Sequence, residues 1–135
     1  MNRYSILFFS LLLLGCSHAR KDVHITSVAG KIQLDEYAFD YKTLQKGKAA
    51  ETLSHAFTFV NAGQQPLVIQ RVDASCDCIS VEYPKQPIAS GHEGTIVVTV
   101  DPNKMFNGYF IRRVDVYSNG SSSPATLTVK GIVAL

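Results

Sequence analysis

The chain has 135 residues, with 13 basic and 11 acidic side chains, and 46% of its residues are hydrophobic. This length predicts a single domain that can bury an adequate core without help. The near-neutral charge balance argues against electrostatic nucleic-acid binding, because that function needs a concentrated basic face. We therefore expect no nucleic-acid partner.

The N-terminus has the pattern of a bacterial lipoprotein signal. A positive start that includes Arg3 precedes an apolar run over residues 6–14, which is too short to span a bilayer as a helix. Residues 13–16, Leu-Leu-Gly-Cys, then resemble the signal in which a small residue precedes a lipid-modified cysteine. The resemblance implies cleavage before Cys16 and diacylglycerol on its sulfur. An ordinary signal peptide with a chance cysteine is the alternative.

These features divide the chain into three predicted segments. Residues 1–15 are the signal peptide, residues 16–30 are a lipidated tether, and residues 31–135 are the folded domain. Lipid on Cys16 makes the membrane a predicted partner. Ser17 follows the anchor without a neighbouring acidic residue, which by analogy with bacterial lipoproteins predicts sorting to the outer membrane. We therefore expect the protein in the bacterial cell envelope.

Alternation of apolar and polar residues predicts about seven short strands in the domain. A weak start at residues 32–34 precedes clearer strand signals at residues 37–42, 53–60, 67–72, 79–83, 95–100, 110–118 and 127–133. Turn residues separate these runs, and Asn107-Gly108 is expected to turn the chain back on itself. With no convincing amphipathic helix, the pattern predicts an all-β, antiparallel sandwich.

The inward-facing side chains of two such sheets predict one core. It comprises Phe57, Phe59, Leu67, Ile69, Ile96, Val98, Val100, Val114, Val116, Leu127 and Val129. Strict alternation from Ile69 would turn Val72 to the opposite face. A bulge or a twist is therefore expected in this strand, before Ser75.

Several motifs occur in order along residues 36–133. They are Phe57-x-Phe59-x-Asn61-x-Gly63-x-x-Pro66-Leu67-x-Ile69, Val72-x-x-Ser75-Cys76-x-Cys78, Pro87-Ile88-x-x-Gly91-x-x-Gly94-x-Ile96, Ser118-Asn119 and Leu127-x-Val129-x-Gly131. Together they resemble the domain of unknown function 1573 family of secreted and lipid-anchored bacterial proteins. The resemblance implies a fold similar to the hydin-like and major-sperm-protein-like immunoglobulin sandwiches, and it implies no activity. The chain departs from the family pattern at Asp77, Ile79 and Ser90, where glycine, threonine and proline are usual.

Cys76 and Cys78 are the part of the mature chain with obvious chemical potential. Because Cys16 is assigned to lipid, this pair is alone in an oxidising compartment. Three interpretations stay open, namely a disulfide or partly reduced structural pair, a thiol–disulfide exchange site, and a site for soft Cu(I). A disulfide between residues two apart needs a turn, which a bulge before Ser75 would supply. The negative charge of Asp77 would oppose thiolate chemistry, because it raises the pKa of a neighbouring thiol.

The remaining residues indicate neither a metal site nor an active site. His18 and His24 lie in the tether, His55 is typical of a satisfied core or edge histidine, and His92 lies in a turn from which it could approach the cysteines. There is no His-x-x-His motif and no second cysteine pair. No serine stands in a nucleophile elbow, and there is no glycine-rich phosphate loop. We assign no metal ligand, no catalytic residue and no cofactor.

The sequence therefore predicts a lipid-anchored, non-enzymatic, immunoglobulin-like binding or structural module of the bacterial cell envelope. Sandwiches commonly act through loops or edge strands, so an envelope protein is the expected partner. The alternative function is that of a periplasmic thiol-redox or copper-handling protein acting through Cys76 and Cys78.

Overall fold

A computed structural model describes residues 29–47 and 53–135. The predicted signal peptide, Cys16 and most of the predicted tether lie outside these ranges. The strands are β1 Ile32–Leu34, β2 Ala38–Gln45, β3 Ser54–Asn61, β4 Ile69–Ala74, β5 Ile79–Glu82, β6 Glu93–Val100, β7 Gly108–Ser118 and β8 Ala125–Ala134, with a 3₁₀ turn at Pro102–Lys104. Within the described ranges, no helix is long and apolar enough to cross a membrane.

The strands form two four-stranded sheets. The first sheet has the order β1-β3-β6-β5, and the second has the order β2-β8-β7-β4. The predicted all-β sandwich is confirmed, with the weak signal at residues 32–34 forming a strand of its own. One pair departs from the antiparallel prediction, because β2 runs parallel to β8. The pair is parallel because the chain passes from the first sheet to the second without reversing its direction. The Asp35 N–H donates to the Thr58 carbonyl of β3, and only two residues later the Tyr37 carbonyl accepts the Thr128 N–H of β8.

The core lies between the sheets and has the predicted composition. Every inward-facing residue named in the sequence analysis is buried, including Phe57, Phe59 and Leu67 at 0% exposure. The register of β4 against β7 shifts between Ile69 and Arg71, and Val72 packs against the core. The expected irregularity in this strand is therefore confirmed.

Asn61 locks the loops at one end of the sandwich. Its side chain is fully buried. Its amide oxygen accepts the backbone N–H groups of Lys31 at 3.1 Å and Gly63 at 3.0 Å. Its amide nitrogen donates to the backbone carbonyls of Gln65 at 2.8 Å and Ile88 at 2.9 Å. A Cβ at Gly63 would collide with the backbone of Ala29 and Gly30, so only glycine allows this close approach. The Asn61-x-Gly63 motif is thus structural.

The expected hairpin at Asn107-Gly108 is wrong, because β6 and β7 belong to different sheets. The connection crosses the end of the sandwich, where Met105 is buried and closes the core. The Asp101 carboxylate accepts the Asn103 N–H at 2.9 Å and starts the 3₁₀ turn. Because Met105 is buried at this end, the chain crosses to the other sheet here and does not form the hairpin that turn propensity alone predicts.

The two ends of the sandwich are distinct. At the entry end, the Gly30 carbonyl accepts the Ser121 N–H at 3.0 Å, just beyond the last residue of β7. At the far end, β7 begins with Gly108 opposite Val133. The loop of Asp101 to Phe106 lies at this far end with the cysteine turn, since Lys104 Nζ is 3.4 Å from the Asp77 carbonyl oxygen.

Candidate interaction site

The cysteine pair occupies the turn that takes the chain from β4 to β5, and so from one sheet to the other. The Cα atoms of Cys76 and Cys78 are 5.1 Å apart, and their sulfur atoms lie within bonding distance. This Cα separation is within the usual range for disulfides. Cys78 is buried, and Cys76 is partly exposed. The geometry suits a disulfide, and the pairing in the envelope stays a prediction.

His92 does not approach this pair, so that expectation is wrong. The His92 carbonyl accepts the Asn61 N–H at the entry end, whereas the Cys78 carbonyl accepts the Asp101 N–H at the far end. The eight residues of β6 separate the two positions by about 25 Å. In residues 29–47 and 53–135, no group of three or more His, Cys, Asp or Glu side chains is arranged to hold a metal ion.

A groove of about 470 Å³ opens along the seam between β2 and the start of β3. Its lining combines apolar and polar side chains, namely those of Phe39, Asp40, Tyr41, Lys42, Thr43, Leu44, Leu53 and Ser54. Leu44 and Leu53 are buried, and Phe39 and Tyr41 pack against the core. The groove therefore combines an apolar floor with two strand edges as its walls.

The β3 wall of the groove has unused pairing capacity. β1 pairs with β3 only from Phe59 to Asn61. The Thr58 carbonyl accepts from Asp35 on this side, so the backbone groups of Ala56 and Ser54 point the same way by strand alternation. Residues 54–57 of β3 pair with β6 on the other side, but among the described residues no strand pairs with them on this side. The N–H and C=O groups of Ser54 and Ala56 are therefore available to an added strand.

The β2 wall is different, because a bulge between Asp40 and Thr43 interrupts its ladder. Lys42 has a left-handed backbone with φ of 60°. The Asp40 carboxylate accepts the Lys42 N–H at 2.8 Å and lies 3.4 Å from its ammonium group. These contacts lower the pKa of Asp40, with the backbone N–H as the largest cause. A bulged, charged edge is a poor template for strand addition.

A cluster of aromatic and polar side chains holds β2 across the seam. The His55 ring stacks on Phe39 with centroids 3.5 Å apart, and its Nε2 lies 2.5 Å from a Glu36 carboxylate oxygen. The Tyr41 hydroxyl donates to the Val98 carbonyl of the opposite sheet at 2.6 Å. Burial raises the pKa of Tyr41 well above its ordinary value. His55 is thus a satisfied edge histidine, as expected.

Sequence reasoning missed an exposed apolar patch on the outer face of the second sheet. Tyr109 of β7 lies directly opposite Ile132 of β8, and Ile111 follows on the same face. These three side chains, which we call the apolar patch, are 66%, 48% and 51% exposed, respectively. The sequence shows that Tyr109 and Ile111 alternate along β7. It does not show the register between β7 and β8, which places Tyr109 opposite Ile132.

Comparisons with known proteins agree with the fold. The family model described as "Protein of unknown function (DUF1573)" matches residues 32–133. A protein of unknown function from Porphyromonas gingivalis is similar at 18% identity and a TM-score of 0.68 over 83% of this chain, which spans about half, 51%, of that protein. A PapD-like domain of human CEP192 is 9% identical at a TM-score of 0.62, covering 78% of this chain and 87% of that one.

The periplasmic chaperone SfaE also shares the sandwich. It is 8% identical at a TM-score of 0.55, and the match covers 78% of this chain and 60% of the chaperone. At these identities the likeness concerns the fold alone. A search of curated protein sequences finds no significant match.

Proposed function

Because this chain belongs to the DUF1573 family, we propose that it is a lipid-anchored, non-enzymatic, immunoglobulin-like binding module of the bacterial cell envelope. The envelope location rests on residues 1–17, in which an apolar run precedes Gly15 and Cys16. Lipid on Cys16 would hold the domain at the membrane, and Ser17 favours the outer membrane. The partner in this proposal is another envelope protein.

One observation carries the binding role, namely the groove at the seam between β2 and β3. It offers an apolar floor beside an edge of β3 whose backbone groups at Ser54 and Ala56 are available to a partner. An extended peptide that added to this edge would gain main-chain hydrogen bonds, while Phe39 and Leu53 would contact its alternate side chains. The bulge at Lys42 would disfavour strand addition on the β2 side, so the peptide would pair with β3 and not with β2.

The shared fold is compatible with this role, since one structural neighbour is by its description a periplasmic chaperone. The sequence also contains none of the nucleophile or phosphate-loop motifs that would favour an enzyme. The proposal therefore assigns no catalytic residue and no cofactor to the domain.

Site-specific photo-crosslinking in the native host tests the binding site. Ser54 lines the groove and is exposed, and Thr95 is exposed on the outer face of the same sheet. Each is replaced in turn by p-benzoylphenylalanine in the full chain. Irradiation should join the Ser54 variant to a discrete envelope protein, which mass spectrometry then identifies. The same adducts from both positions, or none from Ser54, would contradict a specific site at the groove.

A further inference from the structure

The outer face of the β2-β8-β7-β4 sheet is divided into two chemically different halves. Near the far end it carries the apolar patch of Tyr109, Ile111 and Ile132, each about half exposed or more. Phe106 and Leu135 lie within three residues of Tyr109 and Ile132 in the chain and are 96% and 88% exposed. A cluster of exposed apolar side chains on a domain whose other apolar side chains are mostly buried indicates a contact surface.

The half of this face nearer the entry end is polar and internally paired. Arg113 and Asp115 are 3.3 Å apart, and the Thr126 hydroxyl donates to the same Asp115 carboxylate at 2.6 Å. Arg71 forms an ion pair with Asp73 and lies 3.6 Å from the centroid of the Tyr117 ring. The apolar side chains are therefore confined to the other half and are not a general property of the face.

One basic side chain accompanies the apolar patch. Lys130 lies opposite Ile111 in the ladder, on the same face. A tyrosine with a polar tip, aliphatic side chains and a lysine together form a composition that suits the interface of a lipid bilayer. The lysine stem can lie along apolar surface while its ammonium group reaches the headgroups.

The predicted tether is long enough to bring this face to the membrane. The patch lies near the start of β7, whose eleven residues extend about 35 Å towards the end where the chain enters. Residues 17–28, which separate Cys16 from the described domain, can reach about 40 Å when extended. A sandwich anchored through Cys16 can therefore lie on its side, with the outer face against the same membrane.

We propose that the apolar patch of Tyr109, Ile111 and Ile132 rests on the lipid surface and holds the anchored domain side-on to the membrane. This inference rests on the proposed lipid anchor. The anchor confines the patch near the bilayer, so a contact that is weak on its own is populated at the resulting effective concentration. The patch is an open sheet face rather than a cleft, which fits a flat lipid surface better than an extended peptide. The groove lies on the seam and stays available to a protein partner.

The absence of tryptophan from the chain makes a direct test available. Tyr109→Trp places one fluorophore in the patch, and Tyr117→Trp places the same fluorophore on the same strand and face, in the paired polar half. The full lipidated chain is reconstituted in phosphatidylethanolamine–phosphatidylglycerol vesicles with and without brominated acyl chains. The Tyr109→Trp emission should lie at shorter wavelength than the Tyr117→Trp emission. The brominated acyl chains should quench it several-fold more.

Equal quenching of the two variants would overturn the membrane contact. A blue-shifted Tyr109→Trp emission that brominated lipid leaves unquenched and that depends on protein density would assign the patch to a second copy instead. Fatty-acid labelling of Cys16, measured separately, distinguishes the two proposals. Labelled protein with an unquenched Tyr109→Trp fluorophore refutes this inference alone, whereas unlabelled protein refutes the proposed anchor whatever the quenching shows.

Discussion

At the scale of single residues, Asn61 shows how one buried amide can organise three loops. Its four hydrogen bonds join the segment that enters the domain to two turns of the first sheet. The sequence motif identified Asn61 as part of a family pattern but could not display this role, because its partners at Lys31 and Ile88 are distant in the chain. Replacing the side chain would leave four backbone groups without their partner, and two of these hydrogen bonds, to Gly63 and Ile88, are fully buried.

We therefore expect Asn61→Ala to lower the free energy of unfolding by about 3 kcal/mol or more, because each orphaned group costs about 1–3 kcal/mol. Asn61→Asp keeps the shape but cannot donate to the Gln65 and Ile88 carbonyls, so it should also destabilise. Asn107→Ala at an exposed position is the control and should stay within about 0.5 kcal/mol of the parent. Urea titration followed by circular dichroism measures all three, and a small effect of Asn61→Ala would contradict the locking role.

Cys76 and Cys78 are predicted to pair with each other and to be reduced easily. Cys76 is partly exposed in a turn, and exposed disulfides are the labile ones. Protein taken from an oxidising envelope should therefore resist alkylation until mild dithiothreitol is added, after which two adducts should appear by mass. Two thiols that react without reductant would contradict the pairing, and a copurifying metal that blocks alkylation would favour the copper-handling alternative.

A double variant, Cys76→Ser with Cys78→Ser, separates the binding function from the alternative one. A loop this small contributes little loop entropy, so the variant should remain folded. The photo-crosslink from Ser54 should be unchanged if the groove alone binds the partner. Loss of the crosslink in a folded double variant would transfer the function to the cysteine turn.

At the scale of elements, sequence reasoning predicted the strands well because alternation is local. Each strand predicted for the folded domain is present, and the irregularity between Ile69 and Val72 follows from that same alternation. The order of strands was not available, since it depends on pairing across long stretches of chain. For this reason the parallel β2–β8 pair, the crossing between β6 and β7 and the patch of Tyr109 with Ile132 could be found only in the structure.

The bulge of β2 allows a specific prediction, because Lys42 has a left-handed backbone that disfavours most side chains. Lys42→Val should lower the free energy of unfolding by about 1–2 kcal/mol, since a β-branched residue is strained in this conformation. Lys42→Gly should remain within about 1 kcal/mol of the parent, because glycine adopts this backbone freely. Thermal and urea unfolding of the two variants compare them directly, and equal stabilities would show that the bulge relaxes without cost.

At the scale of the whole molecule, the core prediction can be tested by a matched pair of phenylalanines. Phe59 is fully buried, and Phe106 is 96% exposed. Phe59→Ala should lower the free energy of unfolding by about 3–5 kcal/mol, as is typical of a cavity left by a buried aromatic ring. Phe106→Ala should change it by less than about 0.5 kcal/mol. A loss below about 1 kcal/mol for Phe59→Ala would mean that the site collapses around the missing ring.

The proposed anchor is tested on the intact chain. Labelled fatty acid should enter the parent protein and not Cys16→Ser, because the cysteine sulfur is the expected acceptor. Cys78→Ser, which keeps Cys16, controls for labelling of another thiol. Equal incorporation into the parent and Cys16→Ser would show that the assignment of the lipidation site is wrong.

If Cys16 carries the proposed lipid anchor, the parallel pairing of β2 with β8 has a mechanical consequence for the domain. Tension between the anchor and a partner held near the far end would first reach β1, whose ladder spans only Ile32 to Leu34. It would next pull β2 along the axis that it shares with β8. Because that pull runs parallel to both strands, it shears their hydrogen bonds together rather than opening them one at a time. The hydrogen bonds of β1 would therefore break first, while the β2–β8 pair and the rest of the sandwich remained intact.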